Sequence, residues 1–81
     1  MQKFAIEEQV KQILGDIFDL DPNSIDGATE KTRTANWDSL NHINMVVALE
    51  QEFNVSFDLS EIEAMVSFQD IVEIVERKLQ A

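Results

Sequence analysis

Apolar residues recur near the start of the chain at Ile6, Val10, Ile13, Leu14, Ile17 and Phe18, with polar residues between them. Spacings of three and four put them along one side of a helix, so the pattern predicts a first helix within residues 2–18. Gly15 interrupts that pattern and weakens its last turn. Residues 19–37, DLDPNSIDGATEKTRTANW, then carry no sustained periodicity. A stretch longer than about 12–15 residues without structure is uncommon, so this one is functional or pinned by contacts of its own. Leu20, Ile25 and Trp37 are the expected pins, and Asp21 followed by Pro22 suits the start of one short turn.

Helical spacing resumes at Ser39 and runs to Phe53, with Asp38 placed as N-cap and Asn54 as the terminating residue. VSFDLS then reads as a connector, from which Asp58 or Ser60 can cap a brief helix through Met65. Ser67 and Asp70 form an S-x-x-D opening for a last helix whose apolar positions are Phe68, Ile71, Val72, Val75 and Leu79. Arg77 and Lys78 suit the negative end of its dipole. The expected fold is all-α: a four-helix bundle of three main helices and one short one, with a long loop between the first two, making one domain over residues 1–81.

The second helix has more apolar surface than a small core needs. Projected at about 100° per residue, Met45, Val46, Leu49 and Phe53 form one arc. Leu40, Ile43 and Val47 form a second stripe on the side of Ser39. That stripe is either covered by the long loop or left for a partner, with Asp38, Glu50 and Glu52 around it.

Composition narrows the choice of partner. At 81 residues the chain has room for one modest core, and its 16 acids against 6 bases give a formal charge of −10. Such a charge repels nucleic acid and anionic lipid, and favours a partner with a basic face, attracted less strongly as salt rises. No stretch is long enough to span a bilayer, and MQKFAIEEQ lacks the apolar run of a signal peptide. Stable membrane insertion is therefore not expected; the expected location is the cytoplasm and the expected state a monomer. With Cys 0, the chain has no disulfide, no thiolate metal site and no thiol for nucleophilic or thioester chemistry.

Three readings of Ser39 compete. A serine in a helical first turn is ordinary structure. As a nucleophile it would pair with His42 at i+3, but His42 is the sole histidine and no glycine-rich elbow or oxyanion loop accompanies it. His42 itself is expected to be solvated or to face a partner. As a modification site, Ser39 would place a phosphate at the positive end of a helix, where neighbouring Asp38 turns it outward as a tether. The loop also imitates a calcium-binding EF-hand, with Asp19, Asp21, Asn23 and Glu30 at ligand positions. Ser24 stands where that loop requires glycine and Asp26 where it requires an apolar residue, so no metal is expected. Met45 and Met65 read as core filler.

The stretch WDSLNHINMVVALEQEFNVSFDLSEIEAMVSFQDIVEIVERKL resembles the acyl carrier protein family, and the likeness extends over nearly the whole chain. D-S-L resembles the family's attachment motif, and ALEQEF followed by valine resembles the end of its second helix. The resemblance implies that Ser39 carries 4′-phosphopantetheine, flanked by Asp38 and Leu40, and that the arm brings the thiol the polypeptide lacks. It implies a non-catalytic carrier, loaded by a phosphopantetheinyl transferase with coenzyme A and Mg²⁺, that presents acyl thioesters to partner enzymes with basic surfaces. Val46, Val47, Ile43, Glu50 and Glu52 are the implied partner or acyl-pocket positions. Asn41 and Asn44 are neutral where carriers of fatty acid synthesis often have acids, and Trp37 precedes the motif. These departures lean toward a specialised fatty acyl or polyketide-type pathway. A carrier of aminoacyl or peptidyl groups, or an unmodified helical interaction domain, stays open at this point.

Overall fold

The computed structural model describes residues 2–80. Its helices are α1 (Lys3–Phe18), α2 (Ser39–Phe53), α3 (Leu59–Ala64) and α4 (Phe68–Gln80). Helix α1 packs against both α2 and α4, and short α3 lies against α4. The core forms where these faces meet. Ile6, Val10, Leu14 and Phe18 point into it from α1; Met45, Val46 and Leu49 from α2; Ile71, Val72 and Val75 from α4. Burying each such side chain contributes about 1.5–3 kcal/mol, which fixes which face of each helix turns inward. Met65, in the joint between α3 and α4, is also fully buried.

The boundaries from α2 onward have local causes. Asp38 accepts a hydrogen bond from the Asn41 N–H (2.9 Å), and Asn54 closes α2 in the left-handed region at φ 55°. Asp58 rather than Ser60 caps α3; it accepts from the Glu61 N–H while the Glu61 carboxylate accepts from the Asp58 N–H, a reciprocal capping box. The Ser67 hydroxyl accepts from the Asp70 N–H at 3.1 Å and opens α4.

Gly15 does not shorten α1, which continues to Phe18 and ends on Asp19 at φ 57°. The chain folds back so tightly there that a Cβ at Gly15 would lie 2.9 Å from the Leu20 carbonyl oxygen and 3.0 Å from Pro22 Cγ. The glycine is needed for that close approach.

The long connection is pinned along its length. Asp21 and Pro22 open a 3-10 turn (Pro22–Ser24), and a second one, not foreseen in the sequence, covers Lys31–Arg33. Ile25 and Trp37 are buried, with Leu20 packed against the core and Trp37 stacked on Phe18 at 4.6 Å between ring centroids. The Lys31 N–H donates to the Val66 carbonyl (2.8 Å) and the Phe68 N–H to that of Thr29 (2.9 Å), strapping the connection to the start of α4 through a Glu30–Ser67 bridge. Acids of this stretch shape local turns: Asp21 accepts from the Asn23 N–H and Asp26 from the Ala28 N–H.

Candidate functional site

Trp37 and Asp38 bring the connection onto the start of α2. The Asn41 side-chain amide donates to the Asn36 carbonyl at 2.9 Å, and the Asn36 amide to that of Phe18 at 3.1 Å. Asn41 therefore does a job that a carboxylate, which only accepts, cannot do. Ser39 is the first residue of α2 and is exposed. The side-chain hydrogen bonds around it run between Asp38, Asn41, Asn36, Trp37, His42 and Ile62, and among the described residues none uses its hydroxyl.

An open cleft of about 440 Å³ begins at Ser39. One wall is Ser39, His42 and Ile43 of α2; the other is Leu59, Ile62 and Glu63 of α3, with Lys31 reaching in from the connection. A larger cleft of about 520 Å³ lies between α3 and α4, but its Asp58, Glu61 and Lys78 are spent on local bonds. There Lys78 donates to Glu61 at 2.8 Å and the Ser60 hydroxyl donates to Asp58 at 2.8 Å. The Glu61 N–H holds the Asp58 carboxyl below its ordinary range, with help from the Ser60 hydroxyl. The Lys78 ammonium lowers Glu61, whose carboxylate in turn raises Lys78. This cluster secures the outer side of α3.

The structure corrects the expectation for His42, which is neither solvated nor facing a partner: it is 9% exposed. Trp37 Nε1–H donates to His42 Nδ1 at 3.0 Å, and His42 Nε2 lies 2.9 Å from the Ile62 carbonyl oxygen. Indole nitrogen only donates and a carbonyl only accepts, so these partners assign the proton to Nε2. Both ring nitrogens are thereby engaged, and neither is available to take a proton from Ser39. No nucleophile–base couple exists here.

The expected stripe on α2 is exposed: Leu40 71%, Ile43 52% and Val47 46%. Val46 is buried on the core side with Met45 and Leu49, so it offers no surface contact to a partner; of its two implied roles this leaves a position at an acyl pocket. Glu50 is committed to structure, accepting from the Phe57 N–H at 2.9 Å. Glu52 sits beside Ile13 of α1, away from the cleft. Sequence reasoning missed the opposite wall. Leu59 is 70% exposed there, as the first residue after the Asp58 cap, and an apolar residue in a helical first turn was the available signal.

The family model for the phosphopantetheine attachment site matches residues 8–75. The chain belongs to this family, that of the acyl carrier proteins. It is 31% identical to an acyl carrier protein of Thermosynechococcus vestitus over the full length of both, and 32% identical to one of Campylobacter concisus over 90% of this chain and 95% of that one. Among solved structures, the solution structure of holo acyl carrier protein from Geobacter metallireducens matches with a TM-score of 0.80 at 28% identity, over 91% of this chain and 85% of that one. Acyl carrier proteins carry and do not catalyse, in keeping with the engaged His42. Their prosthetic group is 4′-phosphopantetheine, and the site fits it. An exposed hydroxyl stands at a helix N-terminus, where first-turn N–H groups lack intrahelical partners, and a cleft leads away from it. The carrier itself supplies no thiol.

Proposed function

We propose that Ser39 is the attachment point of the arm, and that the carrier presents acyl groups to partner enzymes of a specialised fatty acyl or polyketide-type pathway. The observation that carries this reading is the isolation of Ser39: exposed, first in α2, and at the mouth of the cleft. A phosphopantetheinyl transferase with a basic surface loads it. The Ser39 oxygen forms a bond to the pantetheine-bearing phosphorus of coenzyme A, the bond from that phosphorus to the adenosine bisphosphate breaks, and the hydroxyl proton passes to the enzyme. When bound, the group supplies a terminal thiol on which the acyl group is held as a thioester.

Leu40, Ile43 and Val47 form the apolar centre of the partner surface, and exposed Leu59 across the cleft extends it. Neutral Asn41 and Asn44 at the start of α2 support partners other than those of general fatty acid synthesis, because selection by charge there is weaker. The test is intact mass spectrometry after incubation with a broad-specificity transferase and coenzyme A. Wild-type protein gains one phosphopantetheinyl group and Ser39→Ala gains none. Equal gain by both, or no gain by the wild type, refutes the proposal.

A further inference from the structure

We propose that His42 is a positioning residue, a latch between α2 and α3 that keeps the bundle interior closed to the carried group. The inference rests on the carrier reading, since it concerns where cargo lies once the arm is attached beside this cleft. His42 sits in the cleft wall next to Ser39, yet it is buried. It receives the Trp37 N–H (3.0 Å) and donates to the Ile62 carbonyl (2.9 Å). The latter is the side-chain hydrogen bond that joins α2 directly to α3 among the described residues. The Ile62 carbonyl also accepts from the Met65 N–H at 3.3 Å, so the latch acts where α3 ends and the chain turns inward. Met45 of α2 and Met65, at the end of α3, are fully buried.

Helix α3 has six residues and little stability of its own. On its far side it is held by the Glu61–Lys78 pair, which is partly exposed to water and correspondingly weak. The His42 bond is therefore the direct polar tie that must part before α3 moves off α2. A chain passing between the helices must part that bond and leave a buried donor without a partner. Cargo is kept instead in the outer cleft, against Ile43 and Leu59 and within reach of Lys31 and Glu63. Such a surface suits short or polar acyl groups better than long alkyl chains.

The test loads full-length wild type, His42→Leu and His42→Gln with octanoyl-phosphopantetheine from octanoyl-coenzyme A, and compares each with its unacylated arm-bearing form by methyl and amide NMR. In the wild type, shifts are confined to Ile43, Leu59 and Ile62, and the Met45 and Met65 methyl signals stay in place. In His42→Leu those methyl signals move, and the thioester resists hydroxylamine about ten-fold longer than in the wild type, the scale of one unpaired buried donor. His42→Gln, which keeps an N–H for the Ile62 carbonyl, behaves as the wild type. A purely structural His42 would lower the melting temperature without moving the cargo. Octanoyl-dependent shifts of Met45 and Met65 in the wild type overturn the latch, as do equal thioester lifetimes in all three folded proteins. If His42→Leu does not fold, the wild-type methyl signals decide alone. If the wild type accepts octanoyl-phosphopantetheine on a residue other than Ser39, the carrier assignment of Ser39 falls while the methyl signals still report on the latch; absence of any loading overturns both.

Discussion

Replacing Trp37 with phenylalanine separates what the indole N–H does from what the ring does. Phenylalanine keeps an aromatic face for Phe18, whose ring lies 4.6 Å away, but has no donor for His42 Nδ1. Leaving that buried acceptor unpaired costs about 1–3 kcal/mol. The smaller ring adds about 1–2 kcal/mol for lost contacts and partial void. A domain of this size has a total stability of about 4–12 kcal/mol, so a combined loss of about 2–5 kcal/mol is a large share of it. The assay is urea unfolding followed by circular dichroism, because the variant lacks the sole tryptophan. Repeating the substitution in a His42→Leu background completes a double-mutant cycle. With the imidazole already gone, Trp37→Phe should cost about 1–2 kcal/mol less than in the wild type. A coupling within about 0.5 kcal/mol of zero would refute the Trp37–His42 hydrogen bond and the tautomer assigned from it.

Gly15→Ala sets two effects against each other: helix propensity favours alanine by about 0.5–1 kcal/mol, whereas forcing a Cβ against the Leu20 carbonyl costs about 1–3 kcal/mol. Net destabilisation in urea is expected, and a more stable variant would show that the turn yields easily. Acid should loosen α3 before the rest of the fold. Asp58 and Glu61 have folded-state pKa values below their ordinary 3.8 and 4.5, so their contribution is complete above those values and is lost as pH falls through the lower folded ones. Lys78 is raised above its ordinary 10.5, so its share is present below that value and is lost only as pH rises through the higher folded one. Hydrogen exchange at the Glu61 and Ile62 amides, corrected for intrinsic rate, should increase at low pH ahead of exchange at Leu14 or Val72. Simultaneous loss at all four would contradict the local clasp. Ile43→Ser, on an exposed position, should change stability by no more than about 0.5 kcal/mol yet weaken binding to a dedicated partner enzyme ten-fold or more, read by calorimetry.

The main helices were legible because each carries a repeat of apolar residues, and α2, α3 and α4 each open on a recognisable cap. Asp38, Asn54 and Ser67 act as their sequence positions imply. The exposed stripe was legible as a surplus beyond what a small core can take, although its exposure depended on the loop lying elsewhere. That loop was only partly legible: Ile25 and Trp37 showed as pins, but the strap from Thr29 and Lys31 to the start of α4 consists of backbone hydrogen bonds, which any side chain permits. His42 misled for a related reason. A lone histidine on a helix next to a polar start reads as solvated, and its burial depends on Trp37 and the Ile62 carbonyl, five and twenty residues away along the chain. Asn41 read as a missing acid until its amide was seen to hold the Asn36 carbonyl.

The central claim, that Ser39 bears the arm, is tested most directly by fragment mass spectrometry of the protein isolated from its native host. The account predicts one phosphopantetheinyl group, free or acylated, on the peptide containing Ser39, with an unmodified serine at positions 24, 56, 60 and 67. The group on any of those other serines, or a wholly unmodified Ser39 in protein actively serving its pathway, would contradict it.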